Sequence, residues 1–234
     1  MATTQTKRRI RKIHHYLGII IGIQLFFWMI SGAYFALIPI ETVRGSDRAQ
    51  DFQAISIDLN ADILSPAALQ EQLQLSQIRE LRLRNIRGQL VYEVYKAGKS
   101  SLFVLAHDGS PLKPIDVTQA KQAALADYTN SIDVDSVDLL ENPPWEYSGP
   151  LPVYRVQLKD SRHTRIYVSP MTGEVLKRRN AYWRVFDIFW RIHIMDFEGE
   201  NFNNNLLRLI SLSGLLLVIS GYLLWWVSRK RQRT

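Results

Sequence analysis

Two long apolar runs and one polar region make up the pattern of this chain. The first run, Tyr16 to Ile40, contains 25 residues and no charged side chain. The second run, Leu209 to Val227, lies close to the carboxyl end. A bilayer core about 30 Å thick requires roughly 20 apolar residues in a helix. Each run is therefore predicted to span a membrane, and the first is too long for the core of a cleaved signal peptide.

Basic clusters flank the two runs and account for the formal net charge of +7. Without them, 20 basic and 22 acidic residues remain. Because lysine and arginine accumulate at cytoplasmic ends of spans, both termini are expected in the cytoplasm and the central region outside. The sequence pI of 9.7 then reflects membrane topology and does not indicate nucleic acid. The clusters are Lys7, Arg8, Arg9, Arg11 and Lys12, and Arg229, Lys230, Arg231 and Arg233.

These patterns predict six parts and place the protein in a bacterial inner membrane. They are a basic cytoplasmic segment (1–15), a first transmembrane helix (16–40), a periplasmic region (41–180), an interfacial amphipathic helix (181–197), a second transmembrane helix (206–228) and a basic cytoplasmic tail (229–234).

The periplasmic region is predicted to be α+β, because short helical stretches precede runs of alternating residues. Ser65 and Pro66 are typical of a helix start. Thr118 is the predicted cap of a second helix at 117–128. The predicted strands are 78–86, 89–96, 101–107, 136–140, 153–159 and 165–170, followed by a glycine turn at 171–176. The order helix, strands, turn occurs twice, at about 55–115 and 116–180, which indicates a degenerate internal repeat. The two repeats together are long enough to hold a sheet covered by two helices, and the sequence leaves open whether the halves share one sheet or form two.

The second of these halves resembles a PepSY domain, which has a helix, a Y-x-V strand and a D-x-x-T-G-E-V ending. Ser169 stands here in place of the acidic residue, before Pro170-Met171-Thr172-Gly173-Glu174-Val175. The spans resemble PepSY-associated transmembrane helices. His14-His15-Tyr16-Leu17-Gly18 is similar to the H-x-x-L-G motif of the first helix, and Trp190-Arg191-Ile192-His193 to the segment before the second. The resemblance implies a small two-span member of that family.

The segment 181–197 has a broad apolar face and a narrow polar stripe. Trp183, Phe186, Trp190, His193 and Phe197 form the apolar face, and Arg184, Asp187 and Arg191 form the stripe. This pattern predicts an amphipathic helix at the outer membrane interface.

Small residues in both spans are predicted to allow close approach of a neighbouring helix. They are Gly18 and Gly22 in the first span, and Ser213, Gly214, Ser220 and Gly221 in the second.

Five histidines are the candidates for cofactor chemistry. His107 and His163 fall in predicted turns, where surface positions are the ordinary interpretation. His14 and His15 stand at the inner end of the first span, and His193 at the outer interface. Their ordinary interpretation is interface side chains that contact headgroups or a backbone carbonyl. The alternative is axial ligation of haem b, for which imidazole is a standard ligand. The resemblance favours this alternative, since larger relatives with four such helices resemble haem-bearing siderophore-iron reductases.

One chain alone does not complete a bis-histidine site on this prediction. His15 and His193 belong to opposite faces of a bilayer core about 30 Å thick, so they are not expected to ligate the same iron. A homodimer with two-fold symmetry would pair His15 with His15 of its partner, and His193 likewise. The expected partners are therefore the lipid bilayer and either a second copy or a larger membrane complex.

Other kinds of chemistry find little support. The chain has no cysteine, which excludes thiolate catalysis, iron–sulfur clusters and cysteine zinc sites. It has no HExxH, GxSxG or glycine-rich phosphate loop, and no catalytic residue is predicted. Asp133, Asp135, Asp138 and Glu141 form an acidic group that is interpreted as a solvated face, with weak divalent-cation binding as the alternative. The loop 143–147 either covers the core or contacts a partner.

Three functions remain open from the sequence. The favoured one is an inner-membrane accessory protein whose periplasmic PepSY-type domain binds or regulates a partner complex. The second is a haem-bearing electron-transfer component, the one case in which the chain would be part of an enzyme, a transmembrane reductase. The third is a protease-inhibitory or sensory periplasmic module.

Overall fold

The computed structural model describes residues 4–50, 62–75, 77–96, 101–196 and 205–229. These residues form two compact units, one from Met1–Ile40 with Tyr182–Thr234 and the other from Glu41–Ala181. We call them the helical unit and the α+β unit. The sequence prediction of an α+β region between two apolar helices is confirmed at this level.

Three helices make up the described part of the helical unit. Helix α1 covers Thr4–Leu37, α5 covers Ala181–Ile194 and α6 covers Asn205–Arg229. Helix α1 begins well before the predicted span, because lysine and arginine in the basic segment are good helix formers. Both α1 and α6 are long and apolar enough to cross a membrane. The predicted helix 181–197 corresponds to α5, and Phe197 lies outside the described residues.

Helices α1 and α6 form an antiparallel pair. A Cβ atom added to Gly18 would meet Leu217 at 3.9 Å, and one added to Gly214 would meet Ile21 at 3.9 Å. Later residues of α1 thus meet earlier residues of α6. A Cβ at Gly22 would find no neighbour within 4 Å, so Gly22 does not lie in this contact.

The α+β unit starts with a short helix α2 at Ile40–Arg44 and a 3-10 turn at Ser46–Arg48. Helix α3 covers Pro66–Gln72, and the Ser65 hydroxyl accepts a hydrogen bond from the Ala68 amide at 3.2 Å. The predicted start of this helix is confirmed. An antiparallel sheet follows, with strands β1 (Glu80–Ile86), β2 (Gln89–Tyr95) and β3 (Ser101–Leu105) in that order.

A second helix and sheet complete the α+β unit. Helix α4 covers Val117–Asp127, and the strands are β4 (Val134–Leu140), β5 (Val153–Leu158), β6 (Arg165–Val168) and β7 (Val175–Arg179). They form one antiparallel sheet in chain order. The core between α4 and this sheet includes Ala120, Ala124, Tyr154, Val156 and Ile166.

Two expectations for this unit were wrong, and one question that the sequence left open is answered. The cap of α4 is Asp116 and not Thr118, because Asp116 and Gln119 form a reciprocal capping box. Residues 175–176 belong to a strand and not to a turn, since the chain reverses earlier at Gly173, which has φ 75°. The two helix-and-strand segments do not share one sheet but carry separate sheets of three and four strands. Their relation as repeats stays a prediction.

Candidate functional site

His14 lies in the contact between α1 and α6. Its Nδ1 is 2.7 Å from the hydroxyl of Ser220, and that hydroxyl donates to the carbonyl of Leu217 at 2.8 Å. A serine hydroxyl has a single proton, so the Ser220 oxygen accepts from His14 Nδ1–H. In the neutral ring, Nε2 then carries the lone pair. No hydrogen bond of Nε2 occurs in the described part of the chain.

Gly221 provides the space for this histidine. A Cβ atom at this position would stand 3.3 Å from His14 Cε1, which is tighter than ordinary contact. Beside the ring is an apolar groove of about 400 Å³, whose walls are His14, Leu217, Val218, Gly221, Tyr222 and Trp225.

His193 on α5 is held in the same manner by α1. Its Nδ1 is 2.7 Å from the hydroxyl of Ser31, and that hydroxyl donates to the carbonyl of Phe27 at 2.8 Å. The proton count again places a hydrogen on Nδ1 and a lone pair on Nε2. Ser31 is fully buried, so the bond is shielded from exchange with water.

Aromatic side chains fix the helix that carries His193. The indole of Trp28 donates to the His193 carbonyl at 2.6 Å, and Tyr34 donates to the Tyr182 carbonyl at 2.9 Å. The Phe35 ring lies 5.5 Å from the His193 ring and 4.8 Å from the Phe186 ring. The apolar face predicted for α5 therefore packs, at these positions, on the carboxyl-terminal part of α1.

The two serine-held histidines are far apart. Ser31 follows His14 by 17 positions on one continuous helix, which corresponds to roughly 25 Å at 1.5 Å per residue. They therefore belong to separate sites. His15 is exposed, with its ring 5.7 Å from that of Tyr16. The structure thus places His14, and not His15, against α6.

The histidines fit the requirements of a haem ligand. Haem iron takes imidazole as an axial ligand, and metal-bound histidines donate their other N–H to a nearby oxygen. His14 and His193 both have this arrangement. The space that Gly221 leaves and the groove beside it provide an apolar surface next to His14. Each site has one histidine from this chain, so a second chain would have to supply another ligand.

Sequence reasoning did not identify Ser31 and Ser220 as partners of the histidines. Ser220 was predicted only as a packing residue, and Ser31 had no assigned role. The helical repeat was the available signal, since His14, Ile21, Trp28 and Ser31 fall on one side of α1. Ser213, the remaining predicted packing residue, is partly buried on α6.

The turn histidines and the acidic group do not assemble into a site. His107 pairs with neighbouring Asp108 at 3.2 Å on the surface, and Asp138 pairs with Arg155 at 2.9 Å. His163 has φ 50° in a turn. Among the described residues, no group of three or more histidine, aspartate or glutamate side chains is arranged for a metal ion.

The α+β unit contains a cavity of about 740 Å³ beside α4 and β7. Both carboxylates in its walls are paired with arginines: Asp127 forms a bidentate pair with Arg178, and Glu174 pairs with Arg84. Arg87 donates to the Lys113 carbonyl at 2.8 Å.

The loop at 143–147 divides its side chains between core and surface. The buried carboxylate of Glu146 accepts from Tyr167 at 2.7 Å and from Arg165 at 2.9 Å. Tyr147 is buried and its ring stacks on the Tyr167 ring at 4.6 Å. Trp145, which directly precedes Glu146, is 59 % exposed, so a rigid loop presents a large aromatic surface.

Comparison with known proteins gives one match. A family model described as the PepSY-associated TM region matches residues 11–234. No curated protein and no solved structure matches the chain.

Proposed function

The chain belongs to the PepSY-associated transmembrane family and is a membrane protein, and from this premise we propose that it is a haem-bearing electron-transfer component. One observation carries the proposal. The Nδ1 atoms of His14 and His193 each lie 2.7 Å from a serine hydroxyl that is itself within hydrogen-bond distance of a helix carbonyl, an arrangement that suits Nδ1 as the donor and Nε2 as the ligand of an iron.

The residues of this chain would have separate tasks. Ser220 and Ser31 hold the imidazole rings in one orientation and one tautomer. Gly221 and the groove beside His14 exclude water from one face of the ring. Haem b, when bound, supplies a one-electron relay. Two such sites about 25 Å apart along α1 would lie near opposite faces of a membrane, as transmembrane electron transfer requires.

A second chain is part of this proposal. Each site has one histidine from this chain, and a bis-histidine site takes two, so the protein would work as a homodimer or as a subunit of a larger reductase. The orientation follows from the basic ends: both termini are cytoplasmic and the α+β unit is periplasmic, in the inner membrane.

The visible spectrum of the purified full-length protein tests the function. Protein from haem-supplied cells should show a Soret band and a reduced α-band. His14→Ala should remove one haem and His193→Ala the other, whereas the matched variant His15→Ala should keep both. A protein without a Soret band would overturn the proposal, as would a spectrum that His14→Ala and His193→Ala leave unchanged.

A second candidate is an accessory role of the α+β unit, in which a partner complex is bound or regulated. The exposed Trp145 on its anchored loop favours it, because tryptophan is enriched among residues that dominate binding at protein interfaces. A pull-down from mild detergent with wild type and Trp145→Ala separates the outcomes. A reductase or uptake complex, lost with the variant, supports this role. A protease would instead support an inhibitory module, and an unchanged set of proteins would remove Trp145 from the interface.

The orientation has its own test. Since the chain has no cysteine, Gln5→Cys and Lys121→Cys each create a unique label site at an exposed position. A membrane-impermeant maleimide should label Cys at position 121 in spheroplasts, and position 5 only after lysis. The reverse pattern would invert the proposed topology.

A further inference from the structure

A second groove lies at the amino-terminal end of α1, on a different face from His14. It has a volume of about 410 Å³, and its walls are Arg9, Lys12, Ile13, Tyr16, Leu17 and Ile20. These positions recur at three- and four-residue intervals, so they share one side of the helix. The aliphatic parts of Arg9 and Lys12 therefore line one end of a groove whose surface is apolar, and their charged groups belong to its rim.

The basic side chains at this groove have no acidic partner within the part of the chain that the structure describes. Neither Arg9 nor Lys12 forms an ion pair with a carboxylate in the described residues. The Lys12 ammonium lies 6.0 Å from the centre of the Tyr16 ring, four positions further along the helix. The side chain thus leans towards the apolar part of α1 and does not extend away from it. An anion bound between Arg9 and Lys12 would neutralise both charges.

We propose that this groove is the binding site of one anionic phospholipid. The lipid phosphate lies between Arg9 and Lys12, since guanidinium and ammonium groups both bind phosphate oxygens. One acyl chain follows Ile13, Leu17 and Ile20 along the helix. This occupant fits because it combines the two features of the groove, a negative charge at the membrane surface and an apolar chain below it. A zwitterionic lipid is bound less tightly, because its own cation offsets the phosphate.

The site differs from general attraction between a basic segment and a membrane. Arg8 and Arg11 belong to the same cluster, but they do not line the groove. Both are exposed, and they carry the same charge as Arg9 and Lys12. They therefore provide a matched control in which the net charge changes equally and the groove remains intact. The proposal is independent of haem, since none of these residues contacts His14 or His193 through an observed hydrogen bond.

Native mass spectrometry of the full-length protein tests the lipid site. The protein is released from micelles that contain equal amounts of phosphatidylglycerol and phosphatidylcholine, and the retained lipids are counted. Wild type should retain one phosphatidylglycerol. Arg9→Gln with Lys12→Gln should weaken retention by roughly fivefold for each charge removed. Arg8→Gln with Arg11→Gln should retain the lipid as wild type does.

A third variant tests the acyl part of the site. Ile13→Trp fills the groove and leaves all charges in place, so it should also reduce phosphatidylglycerol retention. Circular dichroism of each variant establishes that the helices remain folded. Equal losses in the two charge variants would overturn the proposal in favour of diffuse attraction. Equal retention of both lipids, or full retention by Ile13→Trp, would also overturn it.

Discussion

The two units differ in how much apolar surface they expose. In the α+β unit, Val156 and Ile166 are fully buried, as in a water-soluble domain. In the helical unit, Met29 is 74 % exposed and Leu209 is 62 % exposed, whereas Ser31 is completely buried. Lipid solvates apolar side chains as well as a protein core does, so the helices have no hydrophobic reason to hide them. Small and polar residues contribute to the helix contact beside the apolar side chains of Ile21 and Leu217.

The polar interactions of the two units also differ in charge. The α+β unit is tied together by ion pairs, among them Asp127 with Arg178 and Glu174 with Arg84. The side-chain bonds that join the helices of the helical unit include two between a serine hydroxyl and an imidazole. An unpaired charge is costly within a membrane, so hydroxyl–imidazole pairs are a less expensive way to orient helices there. The interactions whose removal tests each unit therefore differ: they are ion pairs in the α+β unit and hydrogen bonds between helices in the helical unit.

Removal of the Asp127 carboxylate should have the largest effect on stability. Asp127 is 1 % exposed, and its bidentate partner Arg178 is partly exposed. Asp127→Ala leaves the guanidinium without its partner, which is expected to lower the free energy of unfolding by about 3 kcal/mol. Urea unfolding of the full-length protein in mild detergent, followed by circular dichroism, measures the change.

A surface pair provides the control for Asp127. Asp138 binds Arg155 and its side chain is 42 % exposed, so Asp138→Ala should cost less than about 1 kcal/mol. Equal losses in the two variants would show that burial does not set the strength of ion pairs in this unit.

Much of the α+β unit could be predicted from alternation and caps, because these signals are local. The first hairpin and the helix that Ser65 starts are present as expected. Strand β7 was missed, since Val175 and Leu176 follow directly on a glycine turn and the pairing of β7 with β6 depends on the rest of the sheet. The separation into two sheets was also beyond the sequence, because which strands become neighbours depends on tertiary packing.

Tyr167 should make the α+β unit sensitive to alkali. Burial raises the pKa of this phenol, and its hydrogen bond to the Glu146 carboxylate raises the pKa further. The unfolded chain therefore loses the proton first as the pH rises. Below a pH of about 10, the phenol is protonated in both the folded and the unfolded chain, and Tyr167 contributes its full stabilisation. Above that pH, the free energy of unfolding should fall by about 1.4 kcal/mol per pH unit until the pKa of the folded state is reached.

The comparison with Tyr167→Phe isolates this titration. The variant lacks the phenol, so its unfolding free energy should decline less steeply between pH 9 and 11 than that of wild type. It should be less stable at pH 7, because the buried Glu146 loses one donor. Parallel pH profiles in the two proteins would assign the alkaline loss to other groups.

Gln24 marks a weak point in the helical unit. Its Nε2 atom is buried and has no hydrogen-bond partner in the described part of the chain. Gln24→Leu removes the unsatisfied amide and should stabilise the helical unit by about 1 kcal/mol. A denaturing-detergent titration of the full-length protein measures the change, with Gln24→Asn as the control. Since Asn keeps an amide, one methylene closer to the backbone, an equal gain in that variant would contradict the explanation.

Sequence reasoning identified the histidines of the two sites but not their orientation. The motif around His14 and the apolar stripe that contains His193 identified the imidazoles. Their orientation could not be derived, because each serine partner lies on another helix and is 162 or 206 positions away. The choice between His14 and His15 likewise depends on the rotation of α1 against α6, which adjacent residues in a basic segment do not determine.

Ser220→Ala should have the smallest effect on stability, although it alters a candidate site. The hydrogen bond to His14 disappears, and such bonds between membrane helices contribute about 0.6 kcal/mol on average. Ser211→Ala is the matched control on the exposed side of α6 and should leave the helix pair unchanged.

The same two variants also test the role of the bond, because His14 without its acceptor is free to rotate and to change tautomer. If haem is present, Ser220→Ala should therefore shift its midpoint potential or broaden its spectrum, and Ser211→Ala should not. Identical spectra and identical helix association in both variants would show that Ser220 does not orient His14.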